Sequence, residues 1–139
     1  MPIITRYFIR TGFVCLALAL LSALLLAVRP LLTMPDAIGA LTPVYFHLFM
    51  VGWVTQLIFG VAYWMFPIFK KEQPRGSTPL AWSTYILLNL GLLLRVVGEP
   101  MITTSTNPLW GGSLALSALM QWVAGLCFVI NTWPRVKER

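Results

Sequence analysis

Residues 11–28 read TGFVCLALALLSALLLAV, a run that contains no charged side chain. An α-helix needs about 20 apolar residues to cross a hydrocarbon core of roughly 30 Å. Extended back to Tyr7, the run has this length. Arg6 and Arg10 lie at its start, but no small-residue cleavage site follows it, so we interpret it as a membrane span rather than a signal peptide.

Three further segments have the same apolar character. Together with the first run they predict four spans, at about residues 7–28, 43–69, 80–98 and 108–132. Prolines lie at or just before the starts of the last three, where a missing N–H costs little. The runs lack the alternation of membrane β-strands. The sequence therefore predicts an all-α integral membrane protein, with a single four-helix bundle over residues 1–139.

The composition excludes an ordinary soluble domain. The chain is 58% hydrophobic and 10% charged, with a mean hydropathy of +0.81, whereas soluble domains carry about 25% charged residues. The net charge of +6 lies in short loops and tails, which predicts contacts with lipid headgroups and no nucleic-acid partner. Cys15 and Cys127 lie inside apolar runs without metal-binding spacing, as small core residues do.

Basic residues are distributed unevenly between the two ends of the predicted bundle. Eight fall at one end: Arg6, Arg10, Lys70, Lys71, Arg75, Arg135, Lys137 and Arg139. The opposite end has Arg29, and Arg95 lies inside the third span. The positive-inside rule therefore predicts that both termini and loop 70–79 are cytoplasmic, in the cell's inner membrane, with loops 30–42 and 99–107 facing outward.

Ionisable groups within spans are rare and often functional. This chain has His47 in the second span and Arg95 at the third span's outer end, followed there by Glu99. The predicted topology places all three at one depth near the outer surface. His47 is the only histidine. It is either a core histidine that forms a hydrogen bond within the protein or a ligand of haem iron. Arg95 has three possible roles: its side chain extends to the membrane interface, it pairs with Glu99, or it binds a haem propionate as a cation.

Other residues near His47 are candidates for cofactor contact. Gly52 and Gly60 lack side chains, so either a helix or a flat macrocycle can approach closely there. Met50 and Met65 are possible thioether ligands. We therefore treat His47, Met50, Gly52 and Arg95 as candidate cofactor-binding residues, with His47 as the metal ligand.

The run His47-x4-Gly52-Trp53, followed by Gly60 and Pro67, resembles the second helix of haem–copper oxidase subunit I. It is most similar to the cbb3-type and nitric-oxide-reductase branches and to related NnrS-like membrane proteins. Asn89-x-Gly91-x3-Arg95 is similar to short members of this group. In that superfamily such a helix carries an axial histidine of the low-spin haem, so the resemblance implies that role for His47 and haem b as the cofactor.

The chain also departs from that family in ways that affect the expected function. It has far fewer helices than a catalytic subunit, and no histidine remains for a copper site or a second haem. We therefore do not expect an oxygen- or nitric-oxide-reducing enzyme. We expect a haem b-binding membrane protein in electron transfer or a haem-linked role.

The second axial ligand has three possible sources. His47 of a second copy in a homodimer is the simplest, and a partner subunit's histidine or a methionine of this chain are the others. The alternative function is a non-catalytic structural subunit of a respiratory or photosynthetic membrane complex without its own cofactor. A transporter fits less well, because the spans lack broken helices and coupling carboxylates.

The basic asymmetry predicts a testable orientation. A reporter fused after Arg139 should be active in the cytoplasm, and reporters inserted near Asp36 or Asn107 should be active outside. Labelling of single cysteines with an impermeant reagent checks the same topology. A cysteine at position 71 that reacts from the outside would overturn it.

Overall fold

Four long helices make up the described part of the chain. The computed structural model of the protein describes residues 1–31, 36–68, 70–71 and 74–136, and these contain no strand. Four helices are long and apolar enough to cross a membrane: Ile3–Val28, Ile38–Met65, Thr78–Thr104 and Pro108–Arg135. The prediction of an all-α, four-helix membrane bundle is confirmed.

The second of these helices, Ile38–Met65, is a stack of several segments, and we call it the second span. The elements in chain order are α1 (Ile3–Val28), a 3-10 helix (Asp36–Ala40), α2 (Leu41–His47), a π-helical segment (Leu48–Thr55), α3 (Gln56–Met65), α4 (Thr78–Thr104), α5 (Pro108–Thr132) and a 3-10 turn (Trp133–Arg135).

Helix bounds agree with the sequence at some ends and differ at others. α5 covers the residues predicted for the fourth span, and α1 begins at Ile3 rather than Tyr7. Phe69, predicted to end the second span, lies outside the described residues.

The predicted end of the third span near residue 98 is too early for its helix, because α4 continues through Pro100 to Thr104. Proline removes one backbone donor, but helices in membranes tolerate it. The Thr103 and Thr104 hydroxyls donate to the carbonyl oxygen of Pro100, at 2.7 and 3.2 Å.

The π-helical segment lies in the middle of the second span. Buried residues recur there at every fourth position: Val44, Leu48, Gly52, Gln56 and Gly60. In an α-helix of 3.6 residues per turn, such a stripe would rotate by about 40° at each step. A π-helix has more residues per turn, so the segment reduces this rotation and keeps the stripe facing its neighbours.

Two apolar clusters form the core, one toward each end of the bundle. The cluster nearer the chain's N-terminus consists of Ile4, Phe8, Tyr63, Ala81, Leu88 and Ala124. The other consists of Cys15, Ala19, Val44, Leu48 and Leu92. Only 11% to 28% of the most apolar window of each span is buried. The remaining apolar surface is what a bilayer would cover.

Small residues allow α1 to approach the second span closely. A Cβ atom built on Gly52 would lie 2.7 Å from Cβ of Cys15, and one on Gly60 would lie 2.8 Å from Cβ of Phe8. Real Cβ atoms do not approach so closely. Small residues at helix contacts are typical of membrane bundles, where packing drives association.

Small residues also allow α4 and α5 to approach closely, and a hydrogen bond joins these two helices. The Ser117 hydroxyl donates to the carbonyl oxygen of Gly91 at 2.6 Å. A Cβ atom on Gly98 would lie 2.9 Å from Cδ2 of Leu114. α5 also contacts α3, through stacked rings of Phe59 and Phe128 whose centroids are 3.9 Å apart.

Arg135 closes the end of the bundle where α3 and α5 finish. Its side chain is fully buried. Nη2 donates to the carbonyl oxygens of Tyr63 and Phe66 at 3.0 and 2.7 Å, and Nε donates to that of Pro67 at 3.1 Å. Carbonyl groups at a helix C-terminus have no partner in the helix and favour a cation. The sequence alone indicates Arg135 only as a topology signal.

Replacing Arg135 should therefore destabilise the fold. Arg135→Ala leaves four carbonyl groups without this donor, those of Tyr63, Phe66, Pro67 and Arg75, and we expect a loss of about 3 kcal/mol in unfolding free energy. Arg135→Lys keeps the charge but loses the planar fork, so its loss should be smaller. Thermal unfolding in detergent measures both, with the exposed Arg6→Ala as control. Equal melting temperatures for Arg135→Ala and Arg6→Ala would refute the capping role.

Candidate functional site

His47, Arg95 and Glu99 meet at one end of the bundle. The Nδ1 atom of His47 lies 2.9 Å from Oε1 of Glu99. The same oxygen lies 3.3 Å from Nη1 of Arg95. The three ionisable groups for which the sequence predicted one depth are therefore in contact, and they join the second span to α4.

The imidazole of His47 is held through one of its two nitrogens. Nδ1 faces two acceptors, the Glu99 carboxylate and the carbonyl oxygen of Pro43, each at 2.9 Å. An imidazole nitrogen between two acceptors carries the proton, so Nδ1–H is the donor. Nε2 forms no hydrogen bond with any residue that the structure describes. The side chain is 28% exposed, which leaves this nitrogen available to a ligand.

Glu99 is the centre of this cluster. Its side chain is 7% exposed and that of Arg95 is 20% exposed. An isolated carboxylate at such burial is costly, and a paired one is tolerated. Two atoms of the pair, Oε2 of Glu99 and Nε of Arg95, are buried without a partner in the described residues. The cluster therefore retains one acceptor and one donor that the described residues do not use.

The sequence alone indicates Glu99 as a possible partner of Arg95 and as an ionisable group at the depth of His47. The spacing of four residues between Arg95 and Glu99 correctly indicated their pairing. The contact with His47 was missed as a role for Glu99, because it depends on how the second span and α4 are rotated toward each other.

The structure places Gly52 and Met50 differently from each other. Gly52 is buried against Cys15 of α1 and Leu92 of α4, so the close approach at this glycine is made by helices. This corrects the proposal of Gly52 as a cofactor contact, since no room remains there for a macrocycle. Met50 is 54% exposed on the outer surface of the second span.

A second polar cluster lies closer to the middle of the bundle. Gln56 is fully buried and forms two hydrogen bonds with Asn89. Nε2 of Gln56 donates to Oδ1 of Asn89 at 3.2 Å, and Nδ2 of Asn89 donates to Oε1 of Gln56 at 3.4 Å. The Thr11 hydroxyl lies 3.0 Å from Oε1 of Gln56. These neutral side chains satisfy one another and join α1, the second span and α4. We assign this cluster a structural role.

The donor set for a metal is small. Among the residues that the structure describes, no group of three or more His, Cys, Asp or Glu residues could hold a metal ion. A site that needs only one imidazole from each chain, such as an axial position of haem iron, is compatible with this set. A copper centre with several histidines is not.

Comparison with known proteins does not decide between these possibilities. No protein-family model, curated protein or solved structure matches the chain. The geometry around His47 therefore carries the functional argument.

Proposed function

We propose that this chain is a haem b-binding membrane protein in which His47 is an axial ligand of the iron. The observation that carries the proposal is the orientation of the imidazole. Nδ1–H is fixed by two acceptors at 2.9 Å, and Nε2 is left without a partner in the described chain. The resemblance of the second span to the haem-bearing helix of oxidase subunit I supports the same role.

Metal-binding histidines typically donate their second N–H to a carboxylate or a backbone carbonyl. That bond selects the tautomer, fixes the plane of the ring and makes the ligating nitrogen more basic. His47 has both kinds of acceptor. A core histidine needs only one such partner, so the double anchoring is more than packing requires.

The position of His47 favours a site between two copies of the chain. A low-spin b haem has two axial ligands, and the chain has one histidine. The flanking Phe46 and Met50 are 56% and 54% exposed, so His47 lies at the edge of an exposed face of the second span. A symmetric homodimer brings the same surface of each copy together, and each copy would supply one His47.

Arg95 and Glu99 would adjust the charge at this site. A bound haem supplies one-electron redox chemistry and carries two carboxylates. The guanidinium of Arg95, whose side chain is 20% exposed, is a donor suited to such a carboxylate. Glu99 fixes the imidazole of His47, which would bind the iron. Arg95 would bind a carboxylate of the haem.

One observation favours the alternative, a structural subunit without its own cofactor. His47, Glu99 and Arg95 already bond to one another within the chain, and this contact joins two spans without help from a ligand. A visible spectrum of the purified protein separates the two functions. A reduced b-type α-band supports haem binding, and a colourless protein supports the structural role.

The ligand role of His47 predicts the effect of its removal. His47→Ala should lose haem but still insert in the membrane, because insertion depends on the apolar spans. Haem content per chain and the reduced-minus-oxidised spectrum measure this. Met50→Leu is the matched control, since it alters the same face and should keep the haem at one per two chains. Unchanged haem in His47→Ala would eliminate His47 as the ligand, and loss in Met50→Leu would make Met50 the second ligand.

The charges of Arg95 and Glu99 predict opposite shifts in the haem midpoint potential. Reduction removes one positive charge from the iron, so a nearby cation favours the reduced form. A unit charge roughly 10 Å from a redox centre contributes about 1.7 kcal/mol at an effective dielectric of about 20, which is some tens of millivolts. Arg95→Gln should therefore lower the midpoint, and Glu99→Gln should raise it.

Redox titration of the two variants measures these shifts, and haem retention is the control for folding. Two midpoints that stay equal to that of the wild type would place the Arg95–Glu99 pair away from the haem. Their contact would then be explained by pairing of side chains four residues apart within α4 alone.

A further inference from the structure

A cavity of about 580 Å³ lies at the end of the bundle opposite His47. It is formed where α1 begins, α3 ends and α4 begins. Its walls include Ile3, Ile4, Tyr63, Arg75, Thr78 and Trp82. One side is therefore apolar and aromatic, and the other carries a guanidinium and the polar start of a helix.

Arg75 is the only charged side chain among the described residues that line this cavity. Its guanidinium has no ion pair or hydrogen bond with the described chain. No described lining residue is acidic. Among the described residues, the positive charge at this cavity is therefore uncompensated, and its electrostatic complement is an anion.

The backbone around Arg75 is fixed by contacts on both sides. The carbonyl oxygen of Arg75 accepts a bond from Nη1 of the buried Arg135 at 3.4 Å. Gly76 has a φ of 78°, and a Cβ there would lie 2.5 Å from Oδ1 of Asn131. Asn131 bonds to both N–H and C=O of Ser77, at 2.7 and 3.2 Å. The loop thus holds Arg75 at the cavity without using its side chain.

The cavity also lies at the right depth for a lipid headgroup. Its walls come from the first residues of two spans and the last turn of a third, where hydrocarbon gives way to headgroups. The rings of Tyr7 and Trp82 have centroids 5.6 Å apart, and such aromatic residues are typical of this interface. A smaller adjoining cavity of about 140 Å³ is lined by Ile3, Arg6, Tyr7 and Arg10. Its two arginines add positive charge beside the larger cavity.

We propose that this cavity binds an anionic glycerophospholipid, with its phosphate at Arg75 and its acyl chains along Ile3, Ile4 and Trp82. Guanidinium groups bind phosphate through two parallel hydrogen bonds, and basic pockets between membrane helices bind anionic headgroups. A zwitterionic lipid is disfavoured, because no described carboxylate lines the cavity to receive its ammonium group. The apolar wall favours a lipid over free phosphate. This site does not depend on haem binding at the opposite end.

Lipid binding to the purified full-length chain in detergent tests the proposal. Native mass spectrometry counts the lipids retained as phosphatidylglycerol or phosphatidylcholine is titrated, and inorganic phosphate is the third probe. Arg75→Gln should weaken phosphatidylglycerol binding about tenfold, while phosphatidylcholine binding stays weak. Lys71→Gln is the matched control, because it removes one exposed charge at the same end without lining the cavity.

Selective binding of phosphatidylglycerol that is lost in Arg75→Gln and kept in Lys71→Gln supports the site. Equal losses in the two variants would indicate general surface charge and overturn it. Inorganic phosphate that binds as tightly as the lipid would overturn the lipid as occupant. Arg75→Lys, which keeps the charge, should retain most of the binding, and a complete loss there would contradict the proposed charge attraction.

Discussion

Polar groups in the spans have to find their partners within the protein, because hydrocarbon offers none. This constraint accounts for the contacts that hold the bundle together. The second span is tied to α4 at one end by His47 and Glu99, and near the middle by Gln56 and Asn89. At the other end its last carbonyl groups are tied to Arg135, just past α5. All three ties involve the second span.

Small residues set the distances at which these ties can form. Gly52 and Gly60 let α1 lie directly against the second span, and Gly91 and Gly98 do the same for α4 and α5. Short side chains alone do not select a rotation of one helix against another. The polar pairs select this rotation, since a glutamine and an asparagine exchange two hydrogen bonds only in one arrangement. Packing and polar pairing therefore have complementary roles.

The two ends of the bundle differ in electrostatic character, and this difference organises the proposed functions. At the His47 end, Arg95 and Glu99 compensate each other, and Nε2 of the imidazole has no partner among the described residues. At the Arg75 end the charge is positive and uncompensated among the described residues. The proposed haem site rests on the first arrangement, and the proposed lipid site rests on the second.

The sequence by itself determined the class of the protein, the four spans and the common depth of His47, Arg95 and Glu99. These follow from hydropathy and the length of a helix that crosses a bilayer, which are properties of local stretches of chain. The tertiary structure decided the rest. The π-helical segment, the passage of α4 through Pro100, the burial of Arg135 and the bridging role of Glu99 all depend on how helices rotate and pack. Those rotations are set by contacts between residues far apart in the chain, such as Cys15 with Gly52 and Tyr63 with Arg135, and no local pattern contains them.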